Sequence, residues 1–359
     1  MRSLRRFIGI LLAWLVLANA PGGRTVVAQP ADDERTQLAG PLAALVDAVM
    51  TGQVDAPATG AATYRLGPAG AVIEDGVAAD AAMNVAWSHD FLKATERAIY
   101  VPFTVAVGAS QVPSSSIVAY LRVAPRGATG PSGTLEAYPF EDAYITSGEL
   151  GGLGQTLRFR RAFAVPAGDY DVYLAIRERP AAAAGEPFMA AVLKTPVSVP
   201  DYWGGTLTTS SIIVADRVEP LTAPVSPELQ RDRPYVIGST ELHPAGDDVF
   251  ARTEELTVVF QVYNPEFGPD RKPDVTVEYA FLRMAPDGEV PFNSMQPQRF
   301  NTETLPPNFD PENGYQIAAG WTVPLDAFPE GRYRLAITVI DNLADARVTR
   351  DLSFTVAGS

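Results

Sequence analysis

The chain has 359 residues, of which 42 are acidic and 28 basic, giving a formal charge of −14, and it has no cysteine. A chain this acidic repels phosphate backbones and anionic lipid, so nucleic acid is not an expected partner. The missing thiol excludes disulfides, thiolate metal sites and a lipid-modified cysteine. With 47% apolar and 19% charged residues the composition is globular, and the length suits two domains, each able to bury a core. The 31 Pro and 29 Gly disfavour a helical bundle.

At the start, Arg2, Arg5 and Arg6 precede an apolar run from Phe7 to Ala18, and the small residues Val26 and Ala28 follow. This is the pattern of a signal peptide over residues 1–28. The run of about 12 residues falls short of the ~20 that span a bilayer as a helix. The expectation is an exported chain, secreted or periplasmic, with no transmembrane segment once mature. Cleavage after Ala20 is an alternative, and Arg5-Arg6 also admits twin-arginine export. Loss of Arg2, Arg5, Arg6 and Arg24, with no acid among these residues, moves the formal charge from −14 to −18.

In "PLAALVDAVMTG", Leu42, Leu45, Val46 and Val49 recur at helical spacing, with Pro41 in the first turn and Gly52 at the stop. A short amphipathic helix is predicted, either docked on a domain face or offered to a partner. Residues 53–83 read as irregular connection, with "TYRLG" and "AVIED" as short strands, so 29–84 forms an N-terminal helix and connection. From Trp87 the period becomes two, in "IYVPFTVAV", "SIVAYLRVAP" and "TLRFRRAFAV". The second half continues with "LTVVFQVYN", "VTVEYAFLRMAP", "IAAGWTVPL", "YRLAITVID" and "DLSFTV". An all-β fold of packed sheets is predicted, and a parallel α/β sheet is not.

The two halves match each other. "VPFTVAV" from Val101 pairs with "VVFQVYN" from Val258, "YLRVAPRG" from Tyr120 with "FLRMAPDG" from Phe281, and "PAGDYDVYLAI" from Pro166 with "PEGRYRLAITV" from Pro329. Three landmarks in one order at nearly constant offset mark a duplicated domain. The Pro-rich stretch 219–234 reads as a linker, which gives domains at 85–218 and 235–359.

Gly168 with Tyr170, and Gly331 with Tyr333, each after a proline, resemble the tyrosine corner of immunoglobulin-like and fibronectin III-like domains. The resemblance covers roughly 85–200 and 235–357. It implies two tandem Greek-key β-sandwiches, in which each Tyr hydroxyl bonds backbone upstream and these four residues are structural. In layout the chain is similar to exported bacterial proteins with tandem immunoglobulin-like domains, although no Cys pair brackets a Trp. The resemblance carries no functional site with it.

Chemistry is thinly represented. A metal site built on imidazole would need His89 and His243 to converge with carboxylates, and no G-x-S-x-G elbow provides a serine nucleophile. "GELGGLGQT" lacks the Lys-Ser/Thr of a phosphate loop. "NFDPENGY" places Asn308, Asp310 and Glu312 at calcium-loop spacing, but lacks the glycine and the closing glutamate. Asp270 and Asp274 read as loop acids offset by Lys272, Trp321 as core, and Trp87 as a seal at the end of a domain. "DYWGG" places Tyr202 and Trp203 outside any alternation, as an aromatic pair for a sugar ring or a protein partner, or as domain-interface packing. The chain is therefore expected to be no enzyme, with no cofactor and no metal. It reads as a non-catalytic extracytoplasmic binding or scaffolding protein whose partner is another envelope or extracellular protein. The alternatives are a carbohydrate-binding module-like protein that takes polysaccharide on Tyr202 and Trp203, and a metal-assisted hydrolase.

Overall fold

Runs of β-branched and aromatic residues form an all-β architecture of several sheets, with one long helix among the described residues. The computed structural model describes residues 30–74, 82–108, 110, 112, 114–129, 138–147, 149–151, 156–180, 186–230, 232–307, 309 and 316–358. The expected leader, most of the 148–156 loop and nearly all of the 308–315 turn lie outside the described residues. Among the described residues no helix is long and apolar enough to cross a membrane.

These residues divide into two compact units, 30–89 with 96–201, and 90–95 with 202–358. The division differs from the expected domains at two places. Residues 29–84 do not stand apart, because Gly60–Leu66 pairs antiparallel along its whole length with Phe188–Val199. Nor does 219–234 separate the units. Ile213–Pro220 pairs with Thr240–Pro244 and with Glu255–Tyr263, so the second unit's main segment begins at Tyr202. The prolines there punctuate a strand whose partners lie further along the chain.

In the first unit the larger sheet runs Val72–Glu74, Gly60–Leu66, Phe188–Val199, Gly168–Glu178, Ser116–Pro125, Phe140–Ser147. Val85–His89, Ala98–Gly108, Thr156–Pro166 and Glu149–Gly151 form another sheet. Val101, Phe103 and Val105 are buried from one sheet, and Val172, Leu174 and Ile176 from the other. Trp87 stacks on Phe103 at 4.3 Å.

The helix Pro30–Met50 covers one face of the larger sheet. Leu42, Leu45 and Val46 are completely buried and cluster with Val118, Tyr120, Tyr173 and Ala175. It begins eleven residues ahead of Pro41, which lies inside it and has no N–H to give the Gln37 carbonyl. Because this face is covered, Ser116–Pro125 and Gly168–Glu178 are buried on both sides, which accounts for their nearly continuous apolar runs.

Arg122, 4% exposed, lies at the helix-sheet junction. Its guanidinium donates to Asp47 of the helix at 2.5 Å and to Glu141 of the neighbouring strand at 3.1 Å, and its centre sits 4.2 Å from the Tyr138 ring centroid. Burial alone would lower its pKa; the hydrogen bond to Asp47 and its further partners more than offset this, and it stays charged.

In the second unit one sheet runs Thr208–Thr209, Glu255–Tyr263, Ile213–Pro220, Thr240–Pro244, Val236–Ile237, with Ile317–Pro324 also on Glu255–Tyr263. The other runs Val249–Ala251, Ala346–Ala357, Gly331–Asp341, Val275–Ala285, Gly288–Ser294, with Gln298–Phe300 also on Val275–Ala285. Leu256, Val258 and Phe260 from the first meet Tyr279, Phe281 and Tyr333 from the second in one core. Trp321 packs on this core edge-on to Tyr279.

The units repeat their strand pairing. Gly168–Glu178 lies between Ser116–Pro125 and Phe188–Val199, as Gly331–Asp341 lies between Val275–Ala285 and Ala346–Ala357. Ala98–Gly108 pairs with Thr156–Pro166, as Glu255–Tyr263 pairs with Ile317–Pro324. The Tyr170 hydroxyl donates to the Pro166 carbonyl at 3.0 Å, and that of Tyr333 to the Pro329 carbonyl at 2.6 Å. Two residues ahead of each tyrosine, Gly168 and Gly331 have φ of +156° and +147°, which side-chain-bearing residues rarely adopt.

One landmark is out of register. By letters Pro125 aligns with Pro286, but Tyr170 lies opposite Pro125 and Tyr333 opposite Arg283, three residues earlier. An odd shift exchanges the two faces of a strand. Accordingly Tyr120 packs on the helix side and Phe281 in the core between sheets.

Candidate functional site

Tyr202 and Trp203 lie in the loop before Thr208–Thr209, and the structure places them differently from each other. Tyr202 is 5% exposed, its ring 4.9 Å from that of buried Tyr263, so it is no part of an exposed aromatic pair. Burial pushes the phenol pKa values of both tyrosines up. Trp203 is half-buried and has the Lys93 ammonium 4.2 Å from its ring centroid. The same ammonium donates to Asn264 Oδ1 at 3.1 Å, and Asn264 Nδ2 donates to the carbonyls of Tyr202 and Thr206. Asn264 holds a φ of +58°, a left-handed conformation that asparagine tolerates. A cation, an amide and two aromatic rings thus pin this loop to the second unit.

Asp90 belongs to the same unit. It accepts a hydrogen bond from the Tyr235 hydroxyl at 3.0 Å, and the next residue exchanges two bonds with Ser211, Phe91 N to Oγ at 2.9 Å and Ser211 N to Phe91 O at 3.0 Å. Burial lifts the Asp90 carboxyl to about 6, although hydrogen bonds with Tyr235 and Ser211 pull the other way. His89 is in the first unit. Burial lowers its pKa, and its Nδ1 accepts from Trp87 Nε1 at 3.0 Å, which fixes a neutral ring.

A cluster that the sequence did not reveal lies on the paired strands Ile213–Pro220 and Thr240–Pro244. Glu219 sits opposite Glu241, and Arg217 opposite His243. One ligand atom each from Glu219, Glu241 and His243 lies within 4.8 Å of the others, a spacing that a divalent cation would accept. However, both carboxylates already have cationic partners. Arg233 grips Glu241 with Nε and Nη2, and Arg217 Nε is 3.0 Å from Glu219 Oε1. Two guanidiniums balance two carboxylates, and because Arg233 takes both oxygens of Glu241 a cation would have to compete with it there. The arrangement reads as charge compensation for two glutamates facing each other across strands.

The loop acids Asp270 and Asp274 act as braces. Asp270 accepts from Thr302 Oγ1 and from Lys272 N, and Asp274 from Asn342 Nδ2.

No family model matches the chain, and no curated protein matches it. Among solved structures, a crystal structure of a Salmonella alpha-2-macroglobulin mutant aligns with 79% of this chain at 10% identity and a TM-score of 0.21. The aligned part spans 17% of that protein's chain. A likeness at this level assigns neither a family nor a function.

Proposed function

We propose that this chain is a non-catalytic, exported binding or scaffolding protein built from two immunoglobulin-like β-sandwiches, acting through contact with another protein. The observation that carries the reading is the repeated strand pairing, locked in both units by a tyrosine hydroxyl on a proline carbonyl. Such units work by holding loops and edges rigidly in front of a partner. The charged clusters support the reading, because Arg122 with its acids and the Glu219–Glu241 cluster spend their charges on one another. Export rests on the leader pattern of residues 1–28.

The test is affinity isolation of the tagged full-length chain from an envelope extract after mild cross-linking. A single protein recovered in constant ratio to the chain is the expected result. Recovery of nothing above an untagged control overturns the reading.

A further inference from the structure

Phe267 and Leu343 are large apolar side chains left 39% and 45% exposed on two different loops of the second unit. The loops meet: a Cβ built at Gly268 would lie 3.8 Å from Leu343 Cδ1. A single buried carboxylate clamps both. Asp341, 1% exposed, accepts from the amides of Leu343 and Ala344 on its own turn, and from the amide of Glu266 on the other loop at 2.6 Å. Asn342 adds bonds from its amide to the Asp274 carbonyl and from Nδ2 to the side chains of Asp274 and Thr276. The Lys272 ammonium ties the longer loop to the Pro306 carbonyl. Exposed apolar groups on a surface fixed in this way bind without a further ordering cost.

The charges around the pair decide what fits. Glu266, Asp270, Glu303 and Asp345 are exposed on the loops here, against an exposed Arg271 and a Lys272 committed to backbone, with Arg299 and Arg347 exposed on the adjoining strands. A second copy of this chain carries the same formal charge of −14 and is disfavoured by repulsion, as are an anionic lipid and a nucleic acid. We infer that Phe267 and Leu343 form the apolar centre of a docking surface for a protein partner whose cleft is apolar and rimmed by lysine or arginine. This rests on the protein-binding reading above and names the surface that performs it.

The experiment places benzoylphenylalanine singly at positions 267 and 343, and for comparison at the exposed positions Ile73 and Met284, in the full-length chain within the cells that make it. Ultraviolet adducts are then mapped to partner peptides. The expected result is an adduct from 267 and from 343 but not from 73 or 284, on a partner peptide carrying apolar residues beside lysine or arginine. With the probe at 343, Phe267→Ser reduces the adduct about tenfold, as loss of a central aromatic anchor does. Raising the salt also weakens it. Adducts from 73 or 284 alone overturn this surface and leave the protein-binding reading standing, whereas adducts from no position overturn both. An adduct of twice the chain's own mass, or on an acidic peptide, refutes the partner chemistry.

Discussion

Replacing Tyr333 by Phe isolates one hydrogen bond at the turn into Gly331–Asp341. The ring is 1% exposed, stacked on Phe354 at 5.4 Å and edge-on to Phe328 and Phe292 at 5.2 and 5.3 Å. Phenylalanine keeps all of these contacts. What is lost is the 2.6 Å bond to the Pro329 carbonyl, which keeps no donor from this side chain. Loss of such a bond beside a buried ring costs about 2 kcal/mol. Tyr170, 8% exposed and at 3.0 Å from its carbonyl, should cost less, about 1 kcal/mol. Urea unfolding of each variant, with the slope checked for constancy, measures both. For a unit of this size the Tyr333→Phe melting temperature should fall by roughly 4–8 °C. An unchanged midpoint in Tyr333→Phe refutes the view that these phrases are fold determinants, and a larger loss at Tyr170 refutes the ranking.

Asp90→Asn tests the buried carboxyl. Because its folded pKa is lifted from 3.8 to about 6, the folded state keeps a proton that the unfolded chain has lost. Its contribution to stability therefore falls as pH rises from about 4 to 6 and stays low above. The stability difference should shift in the variant's favour by up to about 3 kcal/mol across that window, and a pH-independent difference contradicts the assignment. Asp47→Ala removes one of the helix's ties to Arg122 and should cost about 1–2 kcal/mol, reduced from the fully buried case because Asp47 is half-exposed; hydrogen exchange in Pro30–Met50 should quicken, and unchanged protection counts against the clasp. Zinc calorimetry should give no heat that His243→Ala abolishes, since Arg217 and Arg233 hold the carboxylates; a 1:1 heat lost in that variant contradicts this. Co-sedimentation with insoluble polysaccharides should show no retention, because Tyr202 is inside; retention that Trp203→Ala removes would favour the sugar reading.

The strand-rich class was legible because period-two alternation is local, and the proline, glycine and tyrosine phrase, likewise local, marked two strands with corresponding pairings in the two units. The apolar face of Pro30–Met50 was legible from Leu42, Leu45, Val46 and Val49, but its start was not, because Pro41 reads as a first turn. A further signal lay in "IVAYLRVA" and "DVYLAI", whose missing polar alternation marks strands covered on both faces; in the second unit "VTVEYAF" alternates. Register was not legible. "YLRVAP" and "FLRMAP" share letters on opposite faces of corresponding strands, and only the pairing with Tyr170 and Tyr333 reveals the shift. The Glu219, Glu241 and His243 cluster depends on two strands separated by a proline-rich stretch, and no local pattern announces it. Tyr202 carries no periodicity, so its burial against Tyr263, sixty-one positions along the chain, could not be read.

On the proposed function, this chain works by holding a partner and not by transforming a substrate. Cross-linked affinity isolation of the full-length chain from the envelope tests it most directly, with Phe267→Ser, Leu343→Ser run beside the unaltered protein. The expected result is one protein in fixed ratio to the unaltered chain and roughly tenfold less with the double variant, whose melting temperature should be preserved. No partner above background would contradict the claim itself, and equal recovery by both would contradict its placement on those two loops.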